Sequence, residues 1–143
     1  MTATLGQLPG VLGVGTDLVD VERVRRALER HPGLRDRLFT EREWDYAARH
    51  RDPHPHLAAR FAAKEAVMKA LGHGMSSMGF VEIEVVRNES GAPSIALDRS
   101  AAAVAAAAGV SRWHLSLTHT DALAQAVAIA IGPCAPTGSG TTP

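Results

Sequence analysis

Apolar and small residues recur at 61, 62, 66, 67, 70 and 71 of the run from Arg60 to Gly72, the spacing of a half-buried helix. The pattern predicts a helix over about 57–71, with Gly72 as a left-handed stop. Ahead of it, the β-branched run Val11-Leu12-Gly13-Val14-Gly15-Thr16-Asp17-Leu18 predicts a buried strand over about 11–18. A helix over about 20–31 should follow, with Asp20 as its N-cap and His31-Pro32-Gly33 as its stop. Thr40 and Glu43 have the capping-box spacing that opens a further helix to about His50, and the prolines make 51–56 a loop. Beyond the connection at 73–79, alternation predicts strands over Val81–Val86 and Ser94–Leu97, joined by the turn Ser90-Gly91-Ala92-Pro93. A small-residue helix over Ala101–Ala108, closed by Gly109, and strands over Trp113–His119 and Ala124–Ile131 complete the list. The alanine run suits close packing against a sheet. This order suggests an α+β fold with an antiparallel sheet.

At 143 residues the chain is long enough for one domain with one modest core. That domain is expected over 11–132, after a flexible leader (1–10) and before a disordered Pro/Gly/Ser/Thr-rich tail (133–143). Fifteen basic residues balance fifteen acidic ones, which argues against general attraction to nucleic acid or to a membrane surface. The single cysteine, Cys134, cannot form an internal disulfide. No signal segment opens the chain and no apolar stretch approaches the roughly 20 residues of a membrane span, so a soluble, cytoplasmic protein is expected.

The charge is locally uneven. Ten of the fifteen basic residues lie from Arg23 to Arg60, against seven acids from Glu22 to Asp52. Arg23, Arg26 and Arg30 share a helical face opposite Val21, Val24 and Leu28. That face is either simply solvated or a docking strip for an acidic protein partner or a polyphosphate.

Two features carry candidate chemistry. A lone carboxylate, Asp17, lies in an otherwise buried strand, where it needs a hydrogen bond, a cation or a strand end. Gly13 and Gly15 permit close approach of a ligand or of another backbone, but Leu18 stands where a dinucleotide fingerprint needs its third glycine. Glu65 and Lys69 lie one turn apart. Exposed helices often carry such pairs for a few tenths of a kcal/mol, about 0.2–0.5. Beside a glycine-rich exit, the same pair suits a metal and a phosphate, and so phosphoryl or phosphodiester chemistry. His50, His54 and His56 fall in the proline loop, and without cysteines they make a poor closed transition-metal site.

With these segments assembled, the sequence resembles the holo-[acyl-carrier-protein] synthase family, the small phosphopantetheinyl transferases. The resemblance rests on Gly13-Val14-Gly15-Thr16-Asp17-Leu18-Val19, on Arg60-Phe61-Ala62-Ala63-Lys64-Glu65-Ala66 with Lys69 and Gly72, on Gly91-x-Pro93, and on His114-Leu115-Ser116-Leu117-Thr118-His119. It implies the phosphopantetheinyl transferase fold with a long central helix, and transfer of the 4′-phosphopantetheine arm of coenzyme A to a serine of an acyl carrier protein in fatty-acid or polyketide synthesis. It further implies that Asp17 and Glu65 hold Mg²⁺ on the pyrophosphate and that Lys69 binds coenzyme A and protonates the leaving phosphate. His119 is in a family position that contacts coenzyme A phosphates, and Arg60, Gly72 and His73 would complete the cradle. Arg23 matches a carrier-docking arginine; Arg26 and Arg37 are added from spacing and charge. Relatives are typically trimers with shared sites. A coenzyme A-binding or carrier-docking module without turnover is the alternative. Two departures stand out: Ser90 replaces a frequent asparagine, and His73, Met75 and Met78 mark the connection after Gly72.

Overall fold

The structure is a computed structural model and describes residues 10–133. Strand β1 (Val11–Asp20) pairs antiparallel with β5 (Leu123–Ile131), whose other edge pairs antiparallel with β4 (Arg112–His119). A separate antiparallel pair is formed by β2 (Ile83–Arg87) and β3 (Pro93–Leu97). Five helices complete the α+β arrangement: α1 (Val21–Arg30), α2 (Leu34–Leu38), α3 (Glu41–Ala48), α4 (His54–Leu71) and α5 (Arg99–Ala107). No helix among the described residues is long and apolar enough to cross a membrane. The expected leader and tail lie outside the described residues except for Gly10 and Pro133, and so does Cys134. At the edge of the described chain the Gly132 amide donates to the Gly10 carbonyl at 2.8 Å.

Local chemistry explains most of the element boundaries. The Asp20 carboxylate accepts from the Arg23 amide at 3.2 Å and starts α1, while Val21 and Val24 turn inward. The Thr40 hydroxyl accepts from the Glu43 amide and the Glu43 carboxylate from the Thr40 amide, so the capping box is complete. Gly72 ends α4 at φ 71°, as expected of a left-handed stop.

The expected loop at 51–56 is corrected: α4 begins at His54, and Pro55 occupies its first turn, where a missing amide costs nothing. The strand expected from Val81 begins at Ile83, after a single 3₁₀ turn at Phe80–Glu82. There the Glu82 carboxylate accepts from the Gly79 and Ser100 amides, a role that strand alternation hides. Helix α5 packs chiefly beside that turn rather than on a sheet, with Ala101 and Ala105 inward. α2 had no sequence signal beyond its Leu34 and Leu38 pair.

The core is built from small residues. β5 buries Ala124, Ala126, Ala128 and Ala130 on one face. Three of them share the core with Ala58, Ala59, Ala62, Ala63 and Ala66 of α4, so helix and sheet approach closely. The approach is closest at β1, where a methyl on Gly13 or Gly15 would overlap the carbonyl oxygen of Ala70 or Ala66 respectively. The close approach expected of these glycines is therefore to another backbone, that of α4. On the opposite sheet face, Leu12, Val14 and Leu18 of β1 and Leu123 of β5 are exposed.

The far side of α4 is anchored by charge. Lys64 is fully buried and uses all three ammonium donors: Glu43 Oε1 at 2.7 Å, Ile83 O at 2.7 Å and Phe80 O at 2.9 Å. Glu43, also buried, accepts in turn from the Thr40 and Val85 amides at 3.0 Å. One carboxylate thus ties α3, α4 and β2 together. Burial pulls the Lys64 ammonium down from its ordinary pKa, and Glu43 opposes the shift. Removing one partner would strand a buried charge. Lys64→Met should therefore cost about 3–5 kcal/mol in urea unfolding. Lys64→Met combined with Glu43→Leu should cost clearly less than the two single losses added, because the residues are in contact.

Candidate active site

The crossing of α4 over β1 brings three of the expected site residues together. Asp17 lies opposite Ala126 in the β1–β5 register, three residues before the strand ends, rather than at its terminus. Nor is it unpaired: Lys69 Nζ donates to Asp17 Oδ1 at 3.1 Å and to the Thr16 carbonyl at 3.0 Å. Lys69, expected to meet a phosphate, is thus engaged by a carboxylate in this structure. Glu65 lies one helical turn earlier. Its carboxyl is pushed above the ordinary glutamate pKa, first by burial and then by the negative charge of Asp17, with Lys69 pulling the other way.

This pair of oxygen donors suits a hard divalent cation. The repulsion that raises Glu65 would be relieved by a positive ion between the carboxylates. Among the described residues there is no cluster of three or more His, Cys, Asp and Glu able to hold a metal. Two carboxylates alone would leave the remaining coordination positions to water and phosphate oxygens.

Asp17 and Glu65 line a groove of about 1010 Å³ together with Arg23, Arg37, Phe61 and Met78. Two of the three expected docking arginines therefore face the same groove as the carboxylates. Arg26 lines an adjoining depression with Arg23 and Arg30, and pairs with Glu22 at 3.5 Å. Beyond Gly72, His73 sits on an exposed loop with Nδ1 3.4 Å from the Ser77 hydroxyl.

Arg60 and His119 do not line this groove. The Arg60 side chain is buried, its guanidinium 4.0 Å over the Tyr46 ring, with Nη1 donating to the His56 carbonyl at 3.3 Å. His119 ends β4 and packs edge-on to His56, ring centroids 4.8 Å apart. These residues form a second cluster. The histidine trio expected at 50, 54 and 56 is divided: His54 Nδ1 lies 2.9 Å from Asp52 and 3.0 Å from Arg25, while His50 and His56 join His119. Sequence reasoning missed Tyr46 and Arg87 as cluster members. Two four-residue spacings, Tyr46 to His50 and His56 to Arg60, were the available signal, and treating 51–56 as a loop concealed the second.

Residues 13–131 match the 4′-phosphopantetheinyl transferase superfamily. A holo-[acyl-carrier-protein] synthase of Desulforudis audaxviator is 48% identical over 124 residues, spanning 86% of this chain and 95% of that protein. Its counterpart from Caldanaerobacter subterraneus is 43% identical over 119 residues, spanning 83% and 94%. Among solved structures, the holo-(acyl-carrier-protein) synthase of Bacillus anthracis in complex with CoA (3′,5′-ADP) superposes with a TM-score of 0.71 at 27% identity, covering 87% of this chain and 99% of that one.

The positions of Asp17, Glu65 and Lys69 all depend on the glycine contact. Gly15→Ala should cost at least about 1–3 kcal/mol, as overpacking does, because the obstructing atom is backbone and cannot rotate away. It should also move Glu65 from Asp17, so that a carboxyl titration followed by NMR returns Glu65 towards the ordinary glutamate range. Gly33→Ala, with no atom within 4 Å of the added methyl, should change stability by no more than about 0.5 kcal/mol.

Proposed function

This chain belongs to the 4′-phosphopantetheinyl transferase superfamily, and on that premise we propose that it acts as a holo-[acyl-carrier-protein] synthase. It moves the 4′-phosphopantetheine arm of coenzyme A to a serine of an apo acyl carrier protein and releases adenosine 3′,5′-bisphosphate. The relatives' names and the nucleotide bound by the Bacillus anthracis protein support the reading. The observation that carries it is the convergence of Asp17 and Glu65 on one groove, with Lys69 donating to Asp17 and the Glu65 carboxyl raised by burial and by Asp17.

Asp17 and Glu65 would hold Mg²⁺ against the pyrophosphate of coenzyme A. When bound, that ion supplies neutralisation of the charge that develops on the leaving phosphate. The serine oxygen attacks the phosphorus nearer pantetheine, and the bond from that phosphorus to the bridging oxygen breaks. Glu65 would accept the serine proton as general base. Lys69, released from Asp17 once the phosphates arrive, holds the departing phosphate and supplies its proton. Gly72 and His73, with Arg60 and His119, would complete the coenzyme A cradle.

Arg23, Arg26 and Arg37 would receive the acidic carrier, and the shared groove gives Arg23 and Arg37 a direct path to the carboxylates. The exposed Leu12, Val14, Leu18 and Leu123 are the kind of apolar sheet face that subunits cover. We assign that face to a homotrimer, in which a neighbour brings the Arg60–His119 cluster to the groove. The working unit is the single domain over 11–132, acting in the cytoplasm in fatty-acid or polyketide synthesis.

Mass spectrometry of apo carrier protein tests the chemistry. The carrier should gain one phosphopantetheine only with coenzyme A and Mg²⁺. Asp17→Asn and Glu65→Gln should each lower the rate by at least about a hundredfold, the scale for losing charge stabilisation in a transition state. Their thermal unfolding should stay near that of the parent, and near-normal rates in both would remove the two carboxylates from the reaction. Arg23→Glu should chiefly raise KM for the carrier, with the effect shrinking as salt is added. An unchanged KM at low salt would exclude Arg23 from docking.

A further inference from the structure

The second cluster contains more positive and titratable groups than the assignment of Arg60 and His119 uses. The His50 and His56 rings stack with centroids 3.6 Å apart and planes 24° apart, and His119 meets His56 at 4.8 Å and 70°. Tyr46 lies 5.0 Å from His50 and 6.0 Å from His56. The guanidiniums of Arg60 and Arg87 lie 4.0 Å and 4.7 Å from the Tyr46 ring centre. Four elements thus send cationic or potentially cationic groups to one place: the end of α3, the first turns of α4, β2 and β4.

No counter-charge accompanies them. Among the described residues, none of His50, His56, His119, Arg60 and Arg87 forms a salt bridge. Glu43, the carboxylate that acts on Arg60, is already occupied by Lys64 and two backbone amides. Arg60 is 4% exposed, and its Nε has no hydrogen-bond partner. His56 also lies in the first turn of α4, the positive end of the helix, where the Asp52 carboxylate accepts from the His54 amide at 3.1 Å. A buried guanidinium donor without a partner, in a cluster of cations, calls for an anion rather than a metal.

Burial, reinforced by His50, His119, Arg60 and Arg87, lowers His56 to about 4, so the ring is neutral near pH 7. Tight stacking is possible for that reason: two charged imidazoles at this separation would repel. An arriving dianion reverses the balance and favours the charged ring.

We propose that His56 is a proton-coupled selectivity residue, which takes up a proton as the phosphomonoester of coenzyme A binds beside Arg60, Arg87 and His119. The inference rests on the coenzyme A reading above and adds to it residues, a selectivity and a pH dependence. Linkage fixes the sign. A group whose pKa rises on binding takes up protons, so affinity increases as the pH falls between the bound and free pKa values. The phosphate itself works in the opposite sense, because a dianion preferred by cations releases protons when it binds. Net uptake must therefore come from imidazole.

Calorimetry in two buffers of different ionisation heat measures the protons directly. Adenosine 3′,5′-bisphosphate and adenosine 5′-monophosphate differ only in the phosphomonoester at issue, and inorganic phosphate serves as the third probe. The bisphosphate should bind with net proton uptake and about three- to tenfold more tightly near pH 6.5 than near pH 8. The monophosphate should show neither effect. In His56→Phe, which keeps an aromatic stack on His50, the uptake and the pH dependence should vanish. Uptake that persists in this variant, or that is equal for the monophosphate, overturns the proposal. So does inorganic phosphate that matches the bisphosphate in both affinity and uptake. Bisphosphate that binds without proton uptake removes only the histidine role, whereas bisphosphate that fails to bind at any pH removes the coenzyme A reading as well. Should that variant unfold, NMR titration of the His56 ring protons in the parent protein, free and with bisphosphate, decides the matter. The His56 pKa must rise on binding.

Discussion

Backbone meeting backbone where α4 crosses β1 is the constraint on which the rest of this molecule depends. Gly13 and Gly15 leave no side chain between strand and helix, and the carbonyls of Ala66 and Ala70 occupy the space. The alanines of β5 extend the same closeness across the sheet. At a more usual helix-to-sheet distance, held apart by leucine or valine, a carboxylate on the strand and one on the helix would need long side chains to meet. Here aspartate suffices on the strand. Its length also allows Lys69 to reach both the Asp17 carboxylate and the Thr16 carbonyl. The site is a product of missing atoms.

Such closeness needs a fixed helix, and the opposite side of α4 supplies the fixation. Lys64 and Glu43 are a buried ion pair in which every ammonium donor has an acceptor. A buried pair is weak evidence for net stability, because desolvation offsets the Coulomb attraction. Its geometry nevertheless allows few alternatives: Glu43 accepts from α3's own N-cap and from Val85 of β2, so rotation of α4 would leave several buried groups unpaired. Adjacent residues of one helix thus have opposite roles. Lys64 faces the core and orients the helix, and Glu65 faces the groove and holds a carboxylate there.

Much of this was legible in the sequence because the signals are local. Asp20, Thr40 with Glu43, and Gly72 each act within a few residues, and the helices they bound follow the expected course. Asp17, Glu65 and Lys69 were identifiable because two short motifs carry them. What escaped depends on residues distant in the chain. Nothing around Lys64 distinguishes it from a solvent-facing lysine until Glu43, 21 positions earlier, is known to lie beneath it. Pro55 suggested a loop because proline interrupts helices in their interior but not in their first turn. That one misassignment separated His56 from Arg60, and His119 could join them only through the pairing of β4 with β5. The arginine face of α1 was visible as a pattern, but its access to the carboxylates required the groove.

The bond from the Gly132 amide to the Gly10 carbonyl has a practical consequence for anyone handling this protein. The described chain enters and leaves at one corner. Along the chain into β1 that corner lies seven residues from Asp17, about 23 Å at the usual rise of a strand. Chain extending from either end of the described residues starts from the same place, roughly a small domain's radius from the acidic pair. The same proximity makes the described domain a candidate for circular permutation, since a short linker could join residues 10 and 133 and new ends could be opened in the exposed segment around Gly74.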